Sequence, residues 1–343
     1  MDQNGLGLLL LFVAGAMNGS FTLPMKFTRK WAWENTWLMW TIFALGIFPV
    51  ALASVTVPAL GQVYARTGAG PALLAASFGA GWGISQVFLG LAVEGIGMAL
   101  SFSVILGLSA AVGSLVPLIR LHPDDILQKG GLTVLCGVAL VLIGVGIAAL
   151  AGRRREIVLA GASGPAQSEH KVSVAKGLLF ATISGLGSAL VNFGFVFGEP
   201  LKHAAQQAGA AQIWAANAVW LPLMVAGGIP NIIYCVYLMR KNHTGSRFGT
   251  AGTSFYYGLA AIMAFFWFGS TVMYGVGATK LGALGPVLGW PLFMSLIVIT
   301  ATLWGVGTGE WKGAGRQPLR LLASGVAVLV VAIFVLGISS RMF

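Results

Sequence analysis

Long apolar runs separated by short polar connectors dominate this chain. A helix needs roughly 20 predominantly apolar residues to cross a bilayer. Ten stretches meet that length: 6–25, 36–57, 72–92, 98–119, 131–151, 174–197, 213–238, 255–277, 284–304 and 319–338. The pattern predicts an all-α membrane protein with ten transmembrane helices. Its longest polar interval, 152–173, opens with Gly-Arg-Arg-Arg-Glu and continues through a Gly/Ser/Pro stretch. That interval is too short and polar to be a domain, and it reads as a linker. It divides the helices five and five: a first repeat over 1–151, a cytoplasmic linker over 152–173 and a second repeat over 174–343. The first apolar run does not read as a cleavable signal, because Asp2 is the only charge before it and a signal peptide starts basic.

Two internal matches support a repeat. An offset of 185 residues superimposes Trp82, Ser85, Val87, Gly90 and Gly97 on Trp267, Ser270, Val272, Gly275 and Gly282. An offset of 176 superimposes Phe21, Pro24 and Lys26 on Phe197, Pro200 and Lys202. Repeats with an odd number of spans must lie in opposite orientations, so the expectation is two inverted five-helix repeats. Secondary transporters use this arrangement to build two similar gates around one central site.

Composition narrows the class further. Charged residues make up 8% of the chain and hydrophobic ones 57%, whereas a soluble protein carries about 25% charged residues. Such a chain cannot cover a water-facing surface, so its solvent is lipid. The net charge of +11 does not point to nucleic acid, because the basic residues fall in connectors. Fourteen of the twenty Lys and Arg collect on one side, among them Lys26, Arg29, Lys30, Arg153–Arg155, Arg240, Arg247, Lys312 and Arg316. Positive residues favour the cytoplasmic side, which places both termini on the outer, periplasmic side of an inner membrane. Cys136 and Cys235 have no partner spacing for a disulfide framework or a metal, and read as buried small residues. Oligomeric state is open: the small-residue pairs Gly15/Gly19, Gly79/Gly83, Gly194/Gly198 and Gly285/Gly289 permit close helix packing without requiring a dimer.

Candidate chemistry is sparse. Ionisable residues within the membrane are costly and therefore functional candidates. Glu94 and Glu199, closing the third and sixth spans, would bind a proton if partly buried. Uncharged polar residues suit a small polar substrate, which needs a few fixed donors and acceptors in an apolar pocket. Asn18 and Asn192 lie in the first helix of each half, and Ser85-Gln86 and Ser270-Thr271 are repeat equivalents one turn after Trp82 and Trp267. Tyr274 is a further pathway candidate. An aromatic ring packs against the C–H face of such a substrate while its hydroxyls meet the polar groups. Helix–helix glue is the competing role for each polar position. Trp31, Trp33, Trp37 and Trp40 read as an interfacial belt. The four histidines lie in loops or at helix ends, so nothing resembles the catalytic or metal constellation of a membrane-embedded enzyme.

Three motifs carry a resemblance. Trp31-Ala-Trp33-Glu34-Asn-Thr-Trp37, Gly81-Trp82-Gly83 leading to Gly90-Leu-Ala-Val-Glu-Gly95-Ile-Gly97-Met98, and Glu310-Trp311-Lys312-Gly-Ala314-Gly315-Arg316-Gln-Pro318 resemble the L-rhamnose–proton symporter family of the drug/metabolite transporter superfamily. The resemblance covers essentially the whole chain. It implies uptake of L-rhamnose or a related deoxysugar across a bacterial inner membrane, with the proton as coupling ion and no other cofactor. The start of the ninth span, Gly282–Gly289, offers no side chain to a hydroxyl. It leaves export or exchange of another small metabolite as the alternative on the same scaffold.

Overall fold

The computed structural model describes residues 2–162, 173–340 and 342. Among these the chain is helical, with no strand. In order the helices are α1 (Gln3–Ser20), α2 (Trp33–Thr41), α3 (Phe48–Thr56), α4 (Leu60–Thr67), α5 (Ala69–Ile96), α6 (Met98–Leu121), α7 (Lys129–Ala162), α8 (Val174–Ser188), α9 (Leu190–Phe197), α10 (Glu199–Gln207), α11 (Asn217–Asn242), α12 (Ser254–Lys280), α13 (Gly285–Gly307) and α14 (Arg316–Ser339). Ten helical spans are long and apolar enough to cross a membrane, with α2–α3 and α8–α10 each forming one span. Each of the ten stretches read from the sequence has its counterpart.

The differences have local causes. α7 continues eleven residues past its expected end at 151, to Ala162, so Arg153–Arg155 are helical. Residues 163–172 of the expected linker, including His170 and Lys171, lie outside the described residues, as does Arg341. The second span is interrupted by a wide π-type turn over Ile42–Ile47. Pro49 follows it, and a proline ring would clash with the Leu45 carbonyl in a regular helix. The sixth span breaks before α10, where Pro200 takes a first-turn position that needs no N–H donor. The short helices α4 and α10 were not legible as spans; they pack on each other through Val63, Leu201 and Ala205.

Contacts group the chain into two compact units. One comprises residues 1–8, 85–189 and 280–343; the other comprises 9–84 and 190–279. Each therefore draws on both expected halves, 1–151 and 174–343.

In the first unit α7 and α14 run side by side. A Cβ on Gly144 would stand 2.8 Å from the Leu329 side chain, and one on Gly325 would stand 2.9 Å from the Ala148 nitrogen. Small residues let backbones approach this closely where lipid supplies no hydrophobic drive. Gly113 leaves a notch for the Trp290 indole, whose Nε1 donates to the Ser109 carbonyl at 2.9 Å. The repeat-equivalent residues Gly97 and Gly282 both turn the chain at positive φ, +80° and +79°. Gly97 alone separates α5 from α6. Glycine adopts this region without the Cβ penalty.

In the second unit Gly79 and Gly83 of α5 lie against the backbone of α11. Added Cβ atoms would stand 1.9 Å from the Leu223 oxygen and 2.3 Å from the Gly227 oxygen. Gly194 and Gly198 receive Leu223 and Val219 of the same helix.

Candidate functional site

Seven of the nine expected sugar-contacting residues belong to the second unit. They are Asn18, Trp82, Asn192, Trp267, Ser270, Thr271 and Tyr274. Helical periodicity puts Trp267, Ser270, Thr271 and Tyr274 on one stripe of α12. Two polar pairs form along it. Asn18 of α1 donates through Nδ2 to Ser270 Oγ at 2.8 Å. One turn on, the Tyr274 hydroxyl donates to Asn192 Oδ1 of α9. Ser270 and Thr271 give their own protons to the Trp267 carbonyl, at 2.6 and 3.1 Å. Such back-bonding is how hydroxyls satisfy themselves in a membrane helix.

The two pairs differ in access. Asn192 and Tyr274 are fully buried; the Phe195 ring meets Tyr274 edge-on at 5.7 Å and stacks on Trp220 at 5.3 Å. Asn18 keeps 8% of its surface exposed, and its partner Ser270 lies one turn from the half-buried Trp267 on α12.

Aromatic rings line up beyond the Asn18–Ser270 pair. Trp82 and Trp267, matched by the repeat offset, stack with centroids 5.3 Å apart and planes 25° apart. Trp267 meets Trp40 edge-on at 5.3 Å, Trp40 lies 4.4 Å from Trp37, and Trp37 stacks on Trp33 at 5.0 Å. Five indoles thus form an unbroken ladder, from the exposed Trp33 to the buried Trp40 and Trp82. Trp37 also donates to Asn231 Oδ1 of α11 at 3.3 Å. This corrects the interfacial-belt reading: Trp40 and Trp31 are buried, and Trp31 packs edge-on against Phe248, Tyr256 and Tyr257. The signal for the ladder was the spacing 33, 37, 40, one stripe of a helix. The Trp40 Nε1 donor is buried with no hydrogen-bond partner among the described residues. A buried donor in that condition costs about 1–3 kcal/mol.

Ser85 and Gln86 belong to the first unit. Ser85 is buried, and the Gln86 amide reaches its hydroxyl only at 3.5 Å. Glu199 pairs with Lys202 and keeps 63% of its side chain exposed, while the Lys202 ammonium tucks over the Phe195 ring at 4.3 Å. Glu94 is also exposed, so neither carboxylate has the partial burial that proton binding was expected to require. Among the described residues the one buried carboxylate is Glu34, which the sequence reading used only as part of a motif. Cys235 is buried and Cys136 is exposed, against the expectation that both are interior.

A crevice of about 580 Å³ opens beside the π-type turn between Thr41–Ala51 and α11. Thr41 is its only polar-side-chain lining residue, so it lacks the donors and acceptors a sugar needs. No group of three or more His, Cys, Asp or Glu side chains among the described residues is placed to hold a metal ion.

Comparison with known proteins identifies a family. The family model described as L-rhamnose-proton symport protein (RhaT) matches residues 2–341. The chain is 28% identical, over 97% of its length and 97% of theirs, to proteins named L-rhamnose-proton symporter from Shigella boydii serotype 18 and Escherichia coli O17:K52:H18. The same identity and coverage hold for the protein of that name from Salmonella enteritidis PT4. Ten apolar helices fit a multi-pass transporter, and the chain belongs to the L-rhamnose-proton symport protein family.

Proposed function

We propose that this protein is a secondary active transporter that takes up L-rhamnose together with protons across the bacterial inner membrane by alternating access. The observation that carries the reading is the Asn18–Ser270 pair one helical turn along α12 from Trp267, whose ring stacks on Trp82, in a chain of this family. A sugar site needs both parts. The C–H face of the deoxysugar, with its methyl group, packs on indole, and its hydroxyls exchange water for fixed amide and hydroxyl groups. Asn18 and Ser270 satisfy each other while the site is empty, so binding trades one hydrogen bond for others and strands no buried group. Asn192 and Tyr274 brace the same stripe of α12 from α9. The inverted relation of the two five-helix halves belongs to this proposal, supported by the shared positive φ of Gly97 and Gly282. So does the outward placement of both termini. Export of another metabolite is disfavoured by relatives named as symporters.

The test is uptake of radiolabelled L-rhamnose into vesicles containing the purified protein, with and without an imposed inward proton gradient. Accumulation driven by the gradient is the expected result. Absence of uptake by folded, inserted protein refutes the assignment.

A further inference from the structure

The geometry points to Glu34 as the residue that binds the coupled proton, with its clasp on the loop after α11 as the element the proton releases. This rests on the symport reading.

Glu34 stands in the first turn of α2, 5% exposed. A charge buried to that extent needs partners or a proton. Its hydrogen-bond partners are neutral and close in sequence: Asn242 ends α11 and Thr244 follows in the loop after it. Thr244 donates its hydroxyl proton to Glu34 Oε1 at 2.7 Å, and Asn242 donates an amide proton to the same oxygen at 3.1 Å. The loop reaches Glu34 because His243 takes a left-handed conformation, φ +54°, which ends α11 and turns Thr244 back. Asn35 extends the clasp by donating to the Thr244 carbonyl at 3.1 Å.

The charged and titratable groups around the carboxylate are few. Arg247, from the same loop, attracts Glu34 electrostatically but makes no ion pair with it within 4 Å among the described residues. The buried Cys235 thiol of α11 senses the Glu34 charge. Lys241 lies over the Tyr237 ring, and Lys30 is engaged with the Ala251 carbonyl. Among the described residues no cation lies within ion-pair distance of Glu34, so the charge in this conformation is held by the neutral donors Thr244 and Asn242 and by Arg247 at longer range.

Protonation would convert two charge-assisted hydrogen bonds into neutral ones, which are about half as strong. The clasp would slacken between the start of α2 and the end of α11. Those helices also frame the indole ladder. Trp37 and Trp40 lie one and two turns beyond Glu34, Trp37 bonds Asn231 of α11, and Gly227 of α11 abuts Trp82. A proton added at Oε therefore reaches the sugar-facing rings through two helices already tied together. The same proton leaves when the clasp re-forms, so none is consumed.

The experiment is Glu34→Gln in vesicles. Glutamine keeps the acceptor oxygen for Thr244 and cannot titrate. Expected is loss of gradient-driven L-rhamnose accumulation with retention of rhamnose exchange across the membrane, which requires no proton release. Accumulation with parental pH dependence overturns the assignment. Loss of exchange as well, with Glu34→Asp failing to restore accumulation, also overturns it and makes Glu34 a structural clamp. Infrared titration of the parent against Glu34→Gln reads the carboxyl without transport: a protonated-carboxyl band missing only in the variant supports the proton site, and identical spectra reject it. A parent that transports no rhamnose yet shows that band would fault the substrate reading and leave the proton site standing.

Discussion

Replacing each member of the Asn18–Ser270 pair by alanine separates binding from packing. The hydrogen bond is short, 2.8 Å, and buried, but its two ends are not equivalent. Ser270→Ala removes the acceptor and leaves the Asn18 amide facing an apolar neighbourhood; an unpaired buried donor costs about 1–3 kcal/mol. Its other hydrogen bond, to Trp267 O, is locally replaceable, because Thr271 donates to the same carbonyl. Asn18→Ala leaves Ser270 with its proton still engaged, so only the net worth of one neutral hydrogen bond is lost, about 0.5–1.5 kcal/mol. Thermal unfolding in detergent should therefore rank Ser270→Ala as the less stable variant, and the double variant should show a coupling energy of about 1 kcal/mol. Transport should rank them the other way. On the proposed reading Asn18 offers its amide to the sugar, and losing one hydroxyl contact of about 1 kcal/mol raises KM roughly five-fold. Equal KM for all three proteins, with the stability ranking intact, would reduce the pair to helix glue and refute the sugar-contact reasoning.

Other expectations follow from the same geometry. Trp267→Phe should keep rhamnose uptake within a few-fold of the parent while Trp267→Ala loses most of it, since stacking on Trp82 and packing against Trp40 need a ring; initial uptake rates check this. Gly113→Ala puts a Cβ 2.3 Å from Trp290 Nε1; it should displace the indole from the Ser109 carbonyl and cost about 2–4 kcal/mol, read as a fall in Tm. Gly97→Ala and Gly282→Ala each force a side chain to positive φ and should cost about 1–2 kcal/mol apiece by the same measurement. Glu199→Gln and Glu94→Gln should leave gradient-driven accumulation intact, because both side chains are exposed; loss of accumulation in either would restore that residue as the coupling group.

Hydropathy disclosed the ten spans because lipid imposes length and apolarity on each span separately. It missed α4, which is too short to cross a membrane, the continuation of the sixth span through α10, and the helical extension through Arg153–Arg155. Arg155 is accommodated there by stacking over Trp311 and donating to the Glu310 carbonyl. The repeat offset identified Trp82 and Trp267 without showing that they touch. The spacing of Trp33, Trp37 and Trp40 gave a helix face, but interfacial and interior tryptophans share that pattern, and only the packing of α12 against them decides. Glu34 was illegible for a different reason. Its burial depends on Asn242 and Thr244, more than 200 positions along the chain, and no local pattern reports a contact of that span. Ser85 and Gln86 show the limit of repeat symmetry. They occupy positions equivalent to Ser270 and Thr271, yet they fall in the other compact unit.

The indole ladder gives the protein an intrinsic optical label. Chromophores held 4.4–5.3 Å apart at fixed angles share their excited states, so their near-ultraviolet circular dichroism and emission belong to the array and not to single residues. A change in one ring's tilt alters the signal of all five. Ligand entry and helix movement within this unit would thus be recorded by absorbing groups the chain already carries, at the place where the sugar is expected to bind.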